Sequence, residues 1–254
     1  MAVSINTNKT LGVSSGSRIM APQTPAFSNT KSLEFDGVDD RVNISNSLTT
    51  TTGTYSLWVK PDLSNDRWFI VSSNNGYRTY VGIRSNTDGT VQAGLAITHQ
   101  LRWRVQTSNP VLTNNVWSHI ALVHNGTQAT LFIDGVQVPQ SFVAHTPGWD
   151  RKQDWWAEMS PTPTLTRLGV FLIPSYSTSY WKGYIDEVSI YTTALTQTDI
   201  TAIYNTGAPD NLGSLSPLNW LRFEEGSGTT ATDSGSGGND GTLINGTSYS
   251  NDVP

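Results

Sequence analysis

The stretch from 117 to 138 reads Trp-Ser-His-Ile-Ala-Leu-Val-His-Asn-Gly-Thr-Gln-Ala-Thr-Leu-Phe-Ile-Asp-Gly-Val-Gln-Val. Its three runs of mainly β-branched, aromatic and aliphatic residues are separated by Asn125-Gly126 and by Asp134-Gly135. Asn-Gly and Asp-Gly are the strongest short signals for a β-hairpin, because both central residues of the tight turn need a positive φ. The stretch therefore predicts a three-stranded antiparallel meander.

Strand patterns of the same kind continue on both sides of the meander. Tyr55-Ser-Leu-Trp-Val-Lys is typical of a strand that stops at Pro61, and residues 183–191 form another long run. Residues 139–164 break the pattern with four prolines and predict a long loop. Many short strands with regular turns and almost no helix predict an all-β protein, an antiparallel two-sheet jelly-roll sandwich.

One short helix is predicted at 196–204. Thr196 and Asp199 have the spacing of a capping box, in which each side chain accepts a hydrogen bond from the other residue's backbone N–H. Gly207 is the expected C-cap, because glycine adopts the left-handed conformation that ends many helices.

Composition excludes several classes of function. The 254 residues carry a net charge of −5, and only 14% of them are charged, so the clustered lysines and arginines of a nucleic-acid-binding protein are not expected. No apolar run approaches the roughly 20 residues of a membrane helix, so membrane insertion is not expected either. The absence of cysteine excludes disulfides and a thiol nucleophile.

Five segments resemble the laminin-G-like jelly-roll family of the concanavalin-A-like lectin/glucanase superfamily. They are Leu33-Glu-Phe-Asp-Gly-Val-Asp-Asp-Arg-Val, Tyr55-Ser-Leu-Trp-Val-Lys-Pro, Trp117-Ser-His-Ile-Ala-Leu-Val, Leu131-Phe-Ile-Asp-Gly, and Gly183-Tyr-Ile-Asp-Glu-Val-Ser-Ile-Tyr followed by Ala194-Leu-Thr. They occur in the family's order over residues 31 to 204. One laminin-G-like domain is therefore expected over 31–254. Residues 1–30 are rich in Ser, Thr and Asn with little periodicity, and they predict an extended arm before it.

The C-terminal segment 218–254 departs from the family's order. Asn219-Trp-Leu-Arg-Phe-Glu-Glu-Gly resembles the phrase that usually opens the domain, but here it comes last. Either a second, truncated copy begins here, or the domain is circularly permuted and this segment completes the sandwich. Permutation is favoured, because a truncated copy would leave Trp220, Leu221, Phe223 and Leu243 with too few partners to offset the entropy of ordering them.

The loop 145–158 holds the main candidate binding residues, which combine tryptophans with charged groups. They are Trp149, Asp150, Arg151, Asp154, Trp155 and Trp156. Sugars stack on aromatic rings while their hydroxyls meet carboxylates, and Trp and Arg also anchor protein interfaces. The third interpretation is that the tryptophans fold back as a lid on the core. Loss of folding in Trp155 and Trp156 variants would favour the lid.

Calcium is a second expectation that rests on the family resemblance. Members often hold one Ca²⁺ near the sandwich rim, and Asp36 and Asp186 are the candidate ligands. The alternative is that these carboxylates cap turns. Glu34, Asp36 and Asp39 also resemble the Glu-X-Asp-X-X-Glu phrase of some glycosidases, but Gly37 marks a turn there and no catalytic residue is assigned.

The preferred functional hypothesis is a non-enzymatic structural protein of a bacteriophage particle, in capsid decoration, tail or fibre. The polar arm, the lack of cysteine, and a C-terminus that resembles phage structural proteins favour it. Its partners would be other virion proteins or further copies of itself, in a virion assembled in the host cytoplasm. The alternative is a bacterial carbohydrate-binding module or adhesin that meets cell-surface glycans outside the cell, and a glycoside hydrolase is the least favoured reading.

Overall fold

The computed structural model describes residues 27–74, 78–144, 146–173 and 177–254. The strands are β1 Ser32–Asp36, β2 Arg41–Ser45, β3 Gly53–Pro61, β4 Arg67–Ser73, β5 Tyr80–Ser85, β6 Val91–Ile97, β7 Gln100–Thr107, β8 Ser118–His124, β9 Ala129–Ile133, β10 Val136–Gln137, β11 Gln140–Ala144, β12 Leu165–Leu168, β13 Val170–Ile173, β14 Ser177–Tyr180, β15 Lys182–Tyr191, β16 Asn219–Leu221, β17 Thr230–Ala231, β18 Gly241–Ile244 and β19 Ser248–Ser250. The helix α1 is Gln197–Tyr204, and short 3₁₀ turns occupy Trp156–Glu158, Asn205–Gly207 and Gly213–Leu215.

Two antiparallel sheets form a sandwich, which confirms the predicted fold class. The eight-stranded sheet has the order β10-β9-β8-β3-β15-β1-β19, and β16 pairs with β15 at one end. The nine-stranded sheet has the order β11-β7-β6-β5-β4-β12-β2-β18-β17, and β13 pairs with β14 as a separate hairpin. Among the described residues, no helix has the length and apolar character needed to cross a bilayer.

The main core lies between the two sheets, where alternate residues of each strand point inward. Leu33 and Phe35 of β1, for example, are buried, while Glu34 and Asp36 between and after them are exposed. This alternation follows from the two-residue period of a strand. Away from the bulges, it assigns each strand residue to the inner or the outer face of its sheet, and the outer face of the eight-stranded sheet carries the cavity described below.

The meander and the helix occur where the sequence predicts them. β8, β9 and β10 pair antiparallel. Asp134-Gly135 forms the predicted tight turn, with φ 49° and 78°. Asn125-Gly126 instead lies in a longer loop, 125–128, in which Gly126 has φ 87° but Asn125 does not have a positive φ. Thr196 caps α1 in a capping box with Asp199. The helix ends at Tyr204 as predicted, but its C-cap is Asn205, which adopts the left-handed conformation (φ 44°, ψ 49°), and not the predicted Gly207.

Two sequence predictions of local structure are wrong. The long loop at 139–164 contains the strand β11, which pairs with the edge strand β7. The sequence Leu-Thr-Arg-Leu-Gly-Val-Phe-Leu-Ile at 165–173 predicts one continuous strand, but Gly169, with φ 77°, divides it into β12 and β13. An added Cβ at Gly169 would meet the Phe35 ring at 2.3 Å, so only glycine fits between β12 and β13.

The C-terminal segment adds strands to both sheets. β16 pairs with β15 and β19 with β1, while β18 pairs with β2 and carries β17 at the sheet edge. Trp220, Leu221, Phe223 and Leu243 are all buried. Segment 218–254 therefore lies within the same sandwich as the meander. Whether the domain is circularly permuted depends on the order of the equivalent strands in its relatives, so the permutation stays a prediction.

The last residues of the predicted N-terminal arm lie against this C-terminal segment. Phe27 stacks on Trp220, and the backbone N–H groups of Thr30 and Lys31 donate to Glu224 Oε1 at 2.8 and 3.1 Å. The Ser32 hydroxyl donates to the Asp252 carbonyl at 2.6 Å. Residues 1–26 of the arm lie outside the described part of the chain.

Candidate functional site

A polar cavity lies on the outer face of the eight-stranded sheet, where β1, β15 and β3 run side by side. Strand register places Glu34 opposite Tyr184, and Tyr184 opposite Lys60. The cavity measures about 370 Å³, a volume that falls within the range of small-ligand sites. It is lined by Glu34, Phe35, Asp36, Asp62, Asn115, Lys182, Gly183 and Tyr184.

The charged groups of the cavity are paired in ways that fix their protonation. Lys182 Nζ lies 3.0 Å from Asp62 Oδ2. Hydrogen bonds from Ser64, together with Lys182, lower the pKa of Asp62 to about 2. Burial, and then the nearby Glu34 carboxylate, raise the pKa of Tyr184, so its hydroxyl keeps its proton and donates to Glu34 Oε1 at 3.2 Å. The cavity thus presents fixed acceptors and donors at neutral pH.

Two aromatic rings stand beside these polar groups. The half-buried rings of Trp117 and Tyr184 have centroids 6.3 Å apart, and Lys60 Nζ lies 5.4 Å from the Tyr184 centroid. Trp117 is held in place because its Nε1 donates to Asp252 Oδ1 at 2.8 Å. A ring face flanked by carboxylates, an ammonium and an amide can bind a polyhydroxylated ligand by stacking and by hydrogen bonds.

The local backbone explains why Lys182 and Tyr184 reach the same cavity. Gly183 between them has φ 133°, and a Cβ there would approach the Lys60 carbonyl oxygen to 2.3 Å. Glycine therefore lets β15 come close to β3 at this position. The two flanking side chains project outward beside Glu34 and Asp36 of β1.

An acidic cluster adjoins the cavity at the turn from β1 to β2. Single carboxylate oxygens of Asp36, Asp39 and Asp40 all lie within 4.8 Å of one another. Asp40 is buried, and its Oδ1 has no hydrogen-bond partner among the described residues. Burial raises the pKa of Asp40, so a bound cation would stabilise its charged form. Hard oxygen donors of this kind fit Ca²⁺, and these three residues would hold it.

The turn-capping interpretation also finds support at this turn. Asp36 Oδ1 accepts from the Val38 N–H at 2.7 Å, and Asp40 Oδ2 accepts from the Asp36 N–H at 2.9 Å. Both bonds leave further carboxylate oxygens for a cation. The two interpretations are therefore compatible in geometry, and a calcium titration separates them.

We expect Ca²⁺ to raise the thermal unfolding temperature of the wild-type protein after chelator treatment, because an ion bound only by the folded state stabilises it. Asp40→Asn should abolish the rise, since it removes the charge of the buried ligand. Differential scanning fluorimetry over a calcium series, with Mg²⁺ as the control ion, measures both effects. A flat titration of the wild type would leave the carboxylates as turn caps alone.

Asp186, the other predicted calcium ligand, does not join this cluster, so the predicted pair is corrected. Asp36 is opposite Lys182 in the register, four residues from Asp186, which is about 13 Å along the strand. Asp186 is fully buried and is bonded by Asn29 Nδ2 at 2.9 Å and by the Glu187 N–H at 2.8 Å. The sequence could not separate these two positions without the register of β1 against β15.

Asp186 instead forms a buried acidic pair with Glu187. Burial raises the pKa of both carboxyls, that of Glu187 to about 8. Trp220 Nε1 donates to Glu187 Oε2 at 2.5 Å, and Arg222 Nε lies 3.6 Å from Oε1. These contacts favour the charged form of Glu187 but do not outweigh its burial.

The raised pKa of Glu187 predicts that stability falls as pH rises. Between its ordinary pKa of 4.5 and about 8, the folded state keeps a proton that the unfolded chain has released. The contribution is therefore complete below pH 4.5 and is lost toward pH 8, with a slope of at most about 1.4 kcal/mol per pH unit. Urea unfolding at several pH values should show this slope, and Glu187→Gln should reduce it. An unchanged slope in the variant would contradict the assignment.

The structure corrects the predicted role of two loop tryptophans. Trp155 and Trp156 are fully buried, so neither ring has a face to offer a ligand. Trp155 stacks between His124 at 4.7 Å and Trp103 at 6.0 Å, and Trp156 Nε1 donates to the Tyr55 hydroxyl at 2.9 Å. These two tryptophans therefore fold back as a lid on the core, which is the third of the interpretations given for the loop.

Of the other four predicted binding residues, three are exposed and one is buried. Trp149, Asp150 and Arg151 are exposed, whereas Asp154 is buried beside Arg102, with Oδ2 3.5 Å from Nε. Trp149 lies against the same arginine, whose guanidinium carbon is 4.4 Å from its ring centroid. Trp149 and Asp154 are thus brought together around Arg102, a residue that the sequence did not single out.

Most cavity residues were also missed by sequence reasoning. Asp36 was a predicted ligand, and Glu34 was weighed only for catalysis. Lys182, Tyr184 and Asn115 look like ordinary strand and turn residues. One signal was available, since Lys182 and Tyr184 alternate in a strand and must share a face. Which strand they adjoin depends on long-range pairing.

Comparisons with known proteins agree with this architecture. A family model of the laminin G type, described as the concanavalin A-like lectin/glucanases superfamily, matches residues 36–201, well over half of the chain. No curated protein sequence matches the chain.

Several solved structures are similar in fold. A candidate carbohydrate binding protein from Bacteroides ovatus has a TM-score of 0.60 at 15% identity, over 88% of this chain and 60% of its own. The CBM40 of a Ruminococcus gnavus sialidase, bound to α2,3 sialyllactose, has a TM-score of 0.53 at 14% identity, over 70% of this chain and 100% of its own. A heptameric pentraxin from Limulus polyphemus has a TM-score of 0.51 at 12% identity, over 69% and 82%. Together with the family match and the two-sheet sandwich, these findings show that the chain belongs to the concanavalin A-like lectin/glucanase superfamily.

Proposed function

We propose that this protein is a carbohydrate-binding domain and that the cavity beside Tyr184 is its sugar site. The observation that carries the proposal is the combination of groups in that cavity of about 370 Å³. The ring of Tyr184 lies beside the Lys182–Asp62 ion pair and the Glu34 carboxylate. Rings stack on the apolar faces of sugars, and charged acceptors form the strongest hydrogen bonds to hydroxyls.

The solved structures of similar fold support the same class of ligand. One is described as a candidate carbohydrate binding protein, and another is a CBM40 bound to sialyllactose. Because their identity to this chain is low, these structures support only a fold that can carry a sugar site. The evidence for the site itself is the cavity of this chain. The chain spans 60% of the length of the Bacteroides ovatus protein, so the activity of that whole protein is not transferred.

A glycan array followed by calorimetry tests the proposal. The wild-type protein should bind at least one glycan, and Tyr184→Ala and Glu34→Gln should each weaken that binding about tenfold or more, which is the worth of a lost ring contact or charged hydrogen bond. Val136→Ala is the matched control, because Val136 is exposed at the far edge of the same sheet. Absence of any bound glycan, or equal binding by all variants, would reject the proposal.

Glycoside hydrolysis is a second candidate function with one observation in its favour. Glu34 and Asp36 lie two residues apart on β1 and both line the cavity. Retaining glycosidases use two carboxyls about 5 Å apart. We propose binding without turnover. Release of reducing sugar from a bound oligosaccharide by the wild type, but not by Glu34→Gln, would instead establish an enzyme.

The bacteriophage interpretation stays a prediction, as does the location in a virion or outside a cell. Neither the family match nor the similar structures described above support it. Mass spectrometry of purified virions would test it directly, and a sugar site would be compatible with either location.

A further inference from the structure

We propose that the cavity beside Tyr184 selects saccharides that carry a free amino group and binds that group as an ammonium ion. This selectivity rests on the proposed function, because it names the ligand class of the same cavity. The observation behind it is the balance of charge among the described residues that line the cavity. They include three carboxylates, those of Glu34, Asp36 and Asp62, but one ammonium group, that of Lys182.

The ammonium groups near the cavity are already neutralised by carboxylates. Lys182 Nζ lies 3.0 Å from Asp62 Oδ2, and Lys60 forms an ion pair with Asp252. Each pair has a net charge of zero. Arg67 lines a smaller adjoining cavity of about 80 Å³ and does not line this one. The charge that the cavity offers to a ligand is therefore set by its two remaining carboxylates.

Glu34 and Asp36 are these two carboxylates, and no cationic side chain of the described residues forms an ion pair with either. Both are exposed, and their spacing of two residues on β1 places them on the same face of the sheet. Glu34 Oε1 accepts from the Tyr184 hydroxyl and Asp36 Oδ1 from the Val38 N–H. Glu34 Oε2 and Asp36 Oδ2 accept nothing from the described residues, so both can bond an ammonium group.

The turn after β1 adds negative charge beside Asp36. Single carboxylate oxygens of Asp36, Asp39 and Asp40 all lie within 4.8 Å of one another. Asp40 is only 4% exposed, and its Oδ1 has no hydrogen-bond partner among the described residues. Carboxylates at this distance repel one another, and a cation bound at Asp36 reduces the repulsion. The same charges disfavour an acidic saccharide.

The groups around the two carboxylates fit the remainder of a sugar. The half-buried rings of Trp117 and Tyr184 lie beside them, with centroids 6.3 Å apart, and the Asn115 side chain lines the same cavity. An aromatic face attracts a cation as well as the C–H face of a sugar ring. An inorganic cation or a simple polyamine would use the carboxylates without the rings and the amide. The combination therefore favours a sugar ring with an amino substituent.

Three trisaccharides with the same linkage test the selectivity. Chitotriose, its fully N-acetylated counterpart and cellotriose differ only at C2 of each ring, where they carry an amine, an acetamide and a hydroxyl group. Calorimetry at about pH 6, where the sugar amine is protonated, follows removal of divalent ions from the protein. Chitotriose should bind about tenfold or more tightly than the other two, which is the worth of one charged hydrogen bond, and added salt should weaken its binding.

Asp36→Asn should raise the Kd for chitotriose about tenfold and leave that for cellotriose nearly unchanged. Asparagine keeps an oxygen for the Val38 N–H, so the turn and the fold should persist, as circular dichroism can verify. Asp88→Asn is the matched control. Asp88 precedes Gly89 in a turn of the other sheet, where its Oδ1 accepts from the Thr90 N–H at 2.8 Å. Losing the same charge there should leave both Kd values unchanged.

The outcomes separate this selectivity from the sugar site itself. Binding of cellotriose or of the acetylated trisaccharide as tightly as chitotriose would overturn the selectivity and leave the sugar site in place. An undiminished preference for chitotriose in Asp36→Asn would also overturn the assignment. So would competition by trilysine as strong as that by chitotriose, because the cavity would then recognise the cation without the sugar. Absence of binding by every glycan of the array would reject the proposed function together with this selectivity.

Discussion

Trp156→Ala is expected to lower the free energy of unfolding by about 3–5 kcal/mol, the range for removing a fully buried tryptophan. The ring fills space between Tyr55 at 5.4 Å and Trp155 at 5.0 Å, and its N–H donates to the Tyr55 hydroxyl. Truncation would leave a cavity and remove that hydrogen bond. Urea unfolding followed by far-ultraviolet circular dichroism measures the loss.

Two further variants make the result specific. Trp149→Ala is the control, because Trp149 is exposed in the same loop and should change stability by less than about 0.5 kcal/mol. Gly53→Ala should be destabilising for the opposite reason, since its Cβ would lie 2.4 Å from the Trp156 ring. If Trp156→Ala and Trp149→Ala proved equally mild, the loop would not be part of the core.

Deleting residues 218–254 is expected to prevent folding altogether. The deletion removes β16 and β19 from one sheet and β17 and β18 from the other, and with them the buried side chains of Leu221, Phe223 and Leu243. It also exposes the backbone of β1 and β2 as new unpaired edges. The truncated chain should lack a cooperative unfolding transition and should aggregate.

Co-expression of two fragments shows whether folding fails because these strands are missing or because the chain is cut. Fragments 1–217 and 218–254 together keep every strand, so they should associate and recover a cooperative transition, at reduced stability. A cooperatively folded 1–217 fragment on its own would support the alternative that the last segment starts a separate, truncated copy.

The fold could be predicted from sequence where its determinants are local. The Asp134-Gly135 turn and the capping box of Thr196 specify conformation within a few residues, and the structure contains both. Asn125-Gly126 marks the right place for a chain reversal, although the loop is longer than a two-residue turn. β11 was missed because its pairing with β7 is non-local and its sequence carries several polar residues. Gly169 divides a continuous strand pattern because the Phe35 ring occupies the space of a side chain there.

The candidate sites could be predicted only in part, because each is assembled from distant strands. Asp36 was singled out, but its cavity partners come from β15, more than 140 residues further on. The loop tryptophans were noticed for their composition, yet burial of Trp155 and exposure of Trp149 depend on how the loop crosses Gly53 and Arg102.

The contact between the two ends of the described chain has a practical consequence. Ser32 bonds the Asp252 carbonyl, and the Lys31 ammonium bonds the Asn251 side chain, so residues 31 and 252 leave the same edge of the eight-stranded sheet. A domain with adjacent ends can be spliced into a surface loop of a host protein through two short linkers.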